Sequence, residues 1–364
     1  MKKVLIIGLT ERMGGVETFI YNTTIFSNKE HIQYDYLIHG ADHAQFQKHL
    51  SAFYGNGEHF HFVSHFKSKP LKTIKELYSF YKNHHYDAIH LQTGATFEIV
   101  YCFPYNFIFG IDVITHSHNG NGFSNFQNAI FRPILNFCTK KKLACSKVAA
   151  EWLFGKHKGK NVEVIKNGID VNRFAFSEDK REYMRKQYGV SDKFVIGHIG
   201  RFSEQKNHKF ILEVYEEILH KHKESVLFLI GTGELISQIK SMVNEKQLED
   251  SIIFINTTST PEDFYNLFDV FLMPSLYEGL PIVGVEAQCS GLDCYFSDNI
   301  SPEIIITDCC HIMSLKEPAK RWAARIIEDC KRNHNRSVYP DIISRAGFNI
   351  HQVAARLEQI YSEV

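Results

Sequence analysis

Short, almost wholly apolar runs alternate with helix-length segments along nearly the whole chain, and this alternation leaves few folds open. In the first half the apolar runs are KKVLIIGL, YDYLIHG, HFHFV, YDAIHLQ, DVITHSH, KLACS and VEVIKNGI. Helical patterns such as VETFIYNTTIF, PLKTIKELYSFYKNHH and KVAAEWLFGK separate them. Strands that are apolar on both faces, with helices between them, make a parallel sheet covered on both sides. A polar, charge-rich stretch follows, NRFAFSEDKREYMRKQYGVSDK, and the boundary is placed in or beside it. The pattern restarts at FVIGHIGRF and continues through SVLFLIGTG, SIIFIN, DVFLMPS, LDCYFSD and CHIMSL. The expected fold is α/β, with two doubly wound, Rossmann-like domains at residues 1–172 and 173–344. They are expected to face each other across a cleft at the carboxyl ends of their strands. A closing helix at about 345–364 has no strand partner and is expected to pack back on the first domain.

The 41 basic and 41 acidic residues cancel, so the chain lacks the bulk field that draws nucleic acid, and no nucleic-acid partner is expected. The eight cysteines contain no C-x-x-C pair, and only Cys309 and Cys310 are adjacent. That spacing argues against a zinc site or a disulfide framework, and for reduced thiols in a cytoplasmic protein. The first apolar run breaks at the polar, glycine-containing TERMGG, so it reads as a strand rather than a signal peptide. No segment approaches the roughly 20 apolar residues of a membrane span.

Several strand ends carry groups suited to a phosphate. Gly14 and Gly15 open a helix after the first strand, where backbone N–H groups can face an anion. The spacing is neither the dinucleotide fingerprint G-x-G-x-x-G nor a P-loop, which counts against a nicotinamide enzyme and an NTPase. In GRFSEQKNH, Arg201 and Lys206 follow a strand that ends at Gly200, and their charges suit a diphosphate. LIGTGEL, with Gly231 and Gly233, repeats the strand–glycine–helix theme.

PSLYEGLPIVGVEAQCSGL is more specific. Glu278 precedes a helix that Pro281 can start, and Glu286 falls one to two turns inside an otherwise apolar run. A carboxylate there needs a partner. Glu278 can accept hydrogen bonds from ligand hydroxyls at the helix mouth, and the Gly279 and Leu280 amides can meet a phosphate. Glu286 suits a vicinal diol such as a ribose, whose two hydroxyls match two carboxylate oxygens.

With GGVETF, HSHN, VIKNGIDVNRF, GRFSEQKN, LIGTGEL and EGLPIVGVE in place, the chain resembles the retaining nucleotide-sugar glycosyltransferases of family 4, which have the GT-B fold. Within them it looks most like bacterial enzymes of exopolysaccharide and capsule synthesis. The resemblance implies a retaining, metal-independent transferase that uses a nucleoside-diphosphate sugar, with a UDP-sugar favoured. The acceptor would be a hydroxyl of a glycan or lipid-linked oligosaccharide, and no cofactor or metal is implied. Arg201 and Lys206 would neutralise the donor diphosphate, which Gly14, Gly15 and Gly231 would approach through backbone. Glu278, Gly279 and Leu280 would hold the sugar and phosphate, Glu286 the ribose, and His118, or His116 two residues earlier, would stand near the reacting sugar.

The family often has Lys-Gly where this chain has Lys206-Asn207, and SDNISPE replaces a glycine-rich segment, with Glu303 matching its acid. Lipid-linked acceptors imply peripheral contact with the inner face of a membrane, for which HFKSKPLKTIKELYSFYK offers a basic amphipathic surface. A catalytically silent subunit that scaffolds a partner transferase is the alternative reading. A glycosidase using Glu278 and Glu286 is disfavoured, because both acids come from one helix end.

Overall fold

The structure is a computed structural model that describes residues 1–12, 14–55, 58–120, 125–329 and 335–364. Cys330 lies outside the described residues; the other seven cysteines are free thiols. The chain forms two compact units, one of Met1–Gly168 with Gly347–Val364, the other of Ile169–Ala346.

The first unit holds a seven-stranded parallel sheet of β1 (Lys2–Ile7), β2 (Ile32–His39), β3 (Phe60–Val63), β4 (Ala88–Thr93), β5 (Asp112–Ser117), β6 (Thr139–Ala144) and β7 (Glu163–Val164). Its order is β3-β2-β1-β4-β5-β6-β7. Alternation along β1 divides its side chains between two cores. Val4 and Ile6 join Phe19, Ile20 and Tyr36 on one face, and Leu5 and Ile7 join Leu77, Phe80 and Tyr81 on the other. The closing helix, Ile350–Glu363, completes the first of these cores. Its Ile350, Val353, Leu357, Ile360 and Tyr361 are buried at helical spacing, and Arg356 fastens it to Glu163 through two N–H···O bonds of 2.6 and 3.0 Å.

The second unit holds β8 (Phe194–Ile199), β9 (Ser225–Ile230), β10 (Ile252–Ile255), β11 (Val270–Met273), β12 (Asp293–Ser297) and β13 (Cys310–Met313), in the order β10-β9-β8-β11-β12-β13. The polar stretch read as the boundary contains a helix of this unit, Glu178–Gln187. Ser177 caps it, acids lead its first turn and Arg185 and Lys186 close its last. It docks by charge rather than by an apolar stripe: Arg181 and Arg185 both grip Asp269, just ahead of β11. No helix among the described residues is long and apolar enough to cross a membrane.

Candidate active site

In each sheet the strand order reverses once, between β1 and β4 and between β8 and β11. Helices leave such a point toward opposite sides, so a crevice opens at the carboxyl ends of the two strands. In the second unit the loops leaving β8 and β11 are stitched together there. Leu276 N donates to Gln205 O (2.8 Å), Gln205 Nε2 to Tyr277 O (3.0 Å) and Asn207 Nδ2 to Pro274 O (3.2 Å). Asn207 stands in the left-handed region (φ 56°, ψ 46°). Glycine and asparagine are the residues that adopt this conformation at least cost, so the departure from Lys-Gly preserves the backbone. It also adds the side-chain bond to Pro274 that glycine could not make.

The stitched loops bring Lys206 and Glu278 together. Lys206 Nζ lies 2.6 Å from Glu278 Oε1, with the two side chains 15% and 12% exposed. Glu278 bridges to Ile300, and its carbonyl accepts from Ser301 N at 3.2 Å. Just beyond it, the Gly279, Leu280, Ile282 and Val283 amides, at the mouth of the helix Ile282–Cys289, donate to no acceptor among the described residues. A side chain on Gly279 would meet only open space. A mostly buried ammonium and outward amides make one electropositive surface, with a carboxylate beside it to read hydroxyls.

Arg201 is not part of that pair. It is exposed and turned to Glu234 in the loop after β9, 3.1 Å away. A solvated ion pair of this kind is worth little and exchanges readily for a phosphate. Gly231 shapes the same corner from beneath: its φ is +145°, and a Cβ on it would stand 2.1 Å from Gly200 O. Only glycine lets the loops after β8 and β9 pack this closely.

The partner that Glu286 needs is Tyr265, a fully buried residue whose hydroxyl donates to Glu286 Oε2 at 2.9 Å. Arg173, held by Glu262 at 2.8 Å, supplies a more distant positive charge. Burial outweighs both and pushes the Glu286 carboxyl up to about 7. Glu303 is half-buried in the short turn Pro302–Ile304.

In the first unit Gly14 is extended and Gly15 begins the helix Gly15–Ile25, with open space where a Gly15 side chain would be. An acid already serves that helix end: buried Glu17 accepts from Thr10 Oγ1 at 2.6 Å and lies under Gly14. Its negative charge in the first turn weakens this terminus as an anion site relative to the Lys206 loop. His116, on β5, is fully buried. His118, just past the strand, is half-buried and within 2.6 Å of Gln92 Oε1. That contact puts a proton on Nε2 and leaves Nδ1 an acceptor, without a partner among the described residues. Burial pushes His118 down to about 3, so the ring is neutral at ordinary pH. Behind it, Gln92 touches His90, whose Nδ1 is 2.6 Å from the Tyr361 hydroxyl of the closing helix. Beside Gln92 and Glu17, at the carboxyl ends of β1 and β4, lies a cavity of about 210 Å³ lined by Gly8, Thr10, Glu17, His39, Gln92 and Glu98 among others.

A wider hollow of about 770 Å³ in the second unit lies at the opposite, amino ends of β8, β11 and β12. Its Arg336 is spent on the carbonyls of Tyr265, Phe268 and Ser290, so it reads as a structural brace. The residues that sequence reasoning missed are Tyr265, Gln92, Glu17 and Tyr361. Only Tyr265 left a signal there, since a carboxylate within an apolar helix demands a donor somewhere.

Comparison with known proteins agrees with this architecture. The family model described as glycosyl transferases group 1 matches residues 179–330, and that of glycosyltransferase family 4 matches residues 13–173. A putative glycosyltransferase of Bacillus subtilis strain 168, EpsF, is 29% identical over 378 residues, covering 99% of this chain and 96% of that protein. An Escherichia coli UDP-Gal:alpha-D-GlcNAc-diphosphoundecaprenol alpha-1,3-galactosyltransferase is 25% identical over 248 residues, covering 63% and 62%. Anabaena Alr3699/HepE, solved in complex with UDP and glucose, superposes over 100% of both chains with a TM-score of 0.76 at 16% identity.

Proposed function

We infer that this chain, which belongs to the family 4 and group 1 glycosyltransferases and has their GT-B fold, moves a sugar from a nucleoside-diphosphate donor to a glycan hydroxyl. Its place in polysaccharide or glycan biosynthesis follows from the family. The finer reading is that the donor is a UDP-sugar, that transfer retains anomeric configuration without a metal, and that the acceptor is a glycan or lipid-linked glycan. The relatives named for UDP or a UDP-sugar support the choice of base.

The observation that carries the reading is the Lys206–Glu278 pair beside unpartnered amides at the switch point of the second sheet. As the bond to the leaving diphosphate breaks, negative charge grows on its oxygens. Lys206, the helix-mouth amides and Arg201, swung from Glu234, stabilise that charge in place. Glu278, relieved of Lys206 by the phosphate, takes the sugar hydroxyls, and Glu286 takes the ribose diol. His118, neutral and with a buried Nδ1 that has no partner among the described residues, would accept a hydrogen bond from a sugar hydroxyl once that edge of the ring is uncovered.

Thermal unfolding with UDP, GDP, ADP and their sugar adducts tests this. A ligand at about a hundred times its Kd adds roughly 2.7 kcal/mol to stability. UDP and UDP-sugars should raise Tm, with or without EDTA, and Glu286→Ala should lose most of the rise. No response to any nucleotide would remove the donor site and favour the silent scaffold.

A further inference from the structure

We propose that His198 is a positioning residue of the donor site, whose Nε2 accepts a hydrogen bond from the Lys206 ammonium and so holds that charge against the diphosphate. This rests on the reading of Lys206 as the cation that meets the donor. It gives a role to two histidines, one in GHIGRF and one in QKNH, that the donor contacts leave unused.

His198 lies near the carboxyl end of β8 and is fully buried. The pairing of β8 with β11 ends at Gly197 and Phe271, and one step further on His198 Nδ1 lies 2.8 Å from Leu272 O. A carbonyl only accepts, so Nδ1 carries the proton and Nε2 presents its lone pair. That nitrogen has no partner among the described residues. A buried acceptor without a donor costs stability that an apolar ring would not. Gly200 shows where the lone pair is useful. A Cβ on Gly200 would stand 2.8 Å from His198 Nε2 and 3.3 Å from Lys206 Cε, so the ring tip and the lysine stem flank one bare α-carbon. Any larger residue there would part them.

His208 closes the far side. It begins the helix His208–Lys221, is 2% exposed, stacks on Phe202 with ring centroids 4.2 Å apart and meets His198 edge-on at 4.8 Å. Burial first, and the nearby Lys206 charge further, hold both rings well below the usual histidine range, so they are neutral at ordinary pH. Neutrality suits the role. A second carboxylate would compete with phosphate for the ammonium, whereas an imidazole lone pair aligns one N–H and leaves the positive charge in place. As phosphate draws Lys206 from Glu278, the ammonium has donors to spare for both phosphate and ring.

The test is the affinity for UDP, by titration calorimetry on the intact protein, in variants that separate the two ring nitrogens. His198→Asn keeps a donor for Leu272 O and has nothing at the Nε2 position; His198→Gln places an amide oxygen there. The asparagine variant should bind UDP about tenfold more weakly, the scale of one charge-assisted hydrogen bond. The glutamine variant should recover most of that loss, and in a Lys206→Ala background His198→Asn should cost nothing further. A ring that only braces Leu272 O gives the reverse order, asparagine near the parent and glutamine impaired, and that result overturns the proposal. So does an equal loss from His198→Asn with and without Lys206. The parent offers a check that needs no variant to fold: the nitrogen NMR signal of His198 Nε2 should move upfield as UDP saturates the site. A signal that stays put overturns the proposal while the donor site stands. A parent that binds no UDP overturns both.

Discussion

Lys206→Ala should lower kcat/KM by about a thousandfold and also destabilise the free protein, by on the order of 2–3 kcal/mol at neutral pH. The first effect is that of removing one preorganised charge from a leaving group, where single donors are worth about a hundred- to thousandfold. The second arises because Glu278, 12% exposed, would be left with its charge unneutralised. Breaking a mostly buried pair from one side costs more than the pair contributes, because the remaining charge has lost water and gained nothing. Glu278→Gln alone should be milder in stability, since Lys206 can reach solvent along its flexible stem. The informative variant is the double one. Lys206→Met with Glu278→Leu removes both charges, so chemical denaturation should show stability returning to within about 1 kcal/mol of the parent. Turnover should stay at the level of the worse single variant. A double variant that recovers stability and activity together would mean that the pair is a structural ion pair and the phosphate binds elsewhere.

The division between what the sequence disclosed and what it concealed follows the range of the interactions. Strands were legible because apolar runs such as VLII and VLFLI report burial on both faces, which is a local property. Glu286 was legible as an anomaly, since an acid inside PIVGVEAQ contradicts its surroundings. Its solution, Tyr265, was not, because a contact between residues 21 apart belongs to the packing of two helices. The Lys206–Glu278 pair likewise joins loops 72 residues apart, and the sequence assigned its members to separate parts of a ligand. His116 and His118 could not be told apart for a simple reason. Residues i and i+2 of a strand share a face, so only the point where the strand ends decides which is covered. The helix Glu178–Gln187 was hidden by its polarity, because two arginines gripping one aspartate leave no apolar period to find.

The affinity for UDP-glucose should rise about tenfold between pH 6 and pH 8, and Glu286→Gln should abolish that dependence together with most of the affinity. A ribose diol offers two O–H donors, which a carboxylate accepts and a carboxylic acid only half accepts. With the free carboxyl near 7, most of the protein at pH 6 must first release a proton to bind; at pH 8 little must. UDP-glucose is the better probe than UDP, since its diphosphate is esterified at both ends and carries no terminal phosphate to titrate in this window. The same group predicts a stability effect of the opposite sign. Because folding raises this carboxyl from 4.5 to about 7, the folded state holds the proton more tightly than the unfolded state. Its contribution is therefore neutral below about 4.5, grows unfavourable as pH rises toward 7, and is constant above that. Glu286→Gln keeps an acceptor for Tyr265 and carries no charge, so calorimetry should find it more stable than the parent at pH 8 by on the order of 3 kcal/mol, with no difference near pH 4. A variant that is sturdier yet cannot hold the donor would identify Glu286 as a carboxylate maintained against the stability of the fold for the ligand it recognises. Equal pH dependence of affinity in parent and variant would assign the diol to another residue.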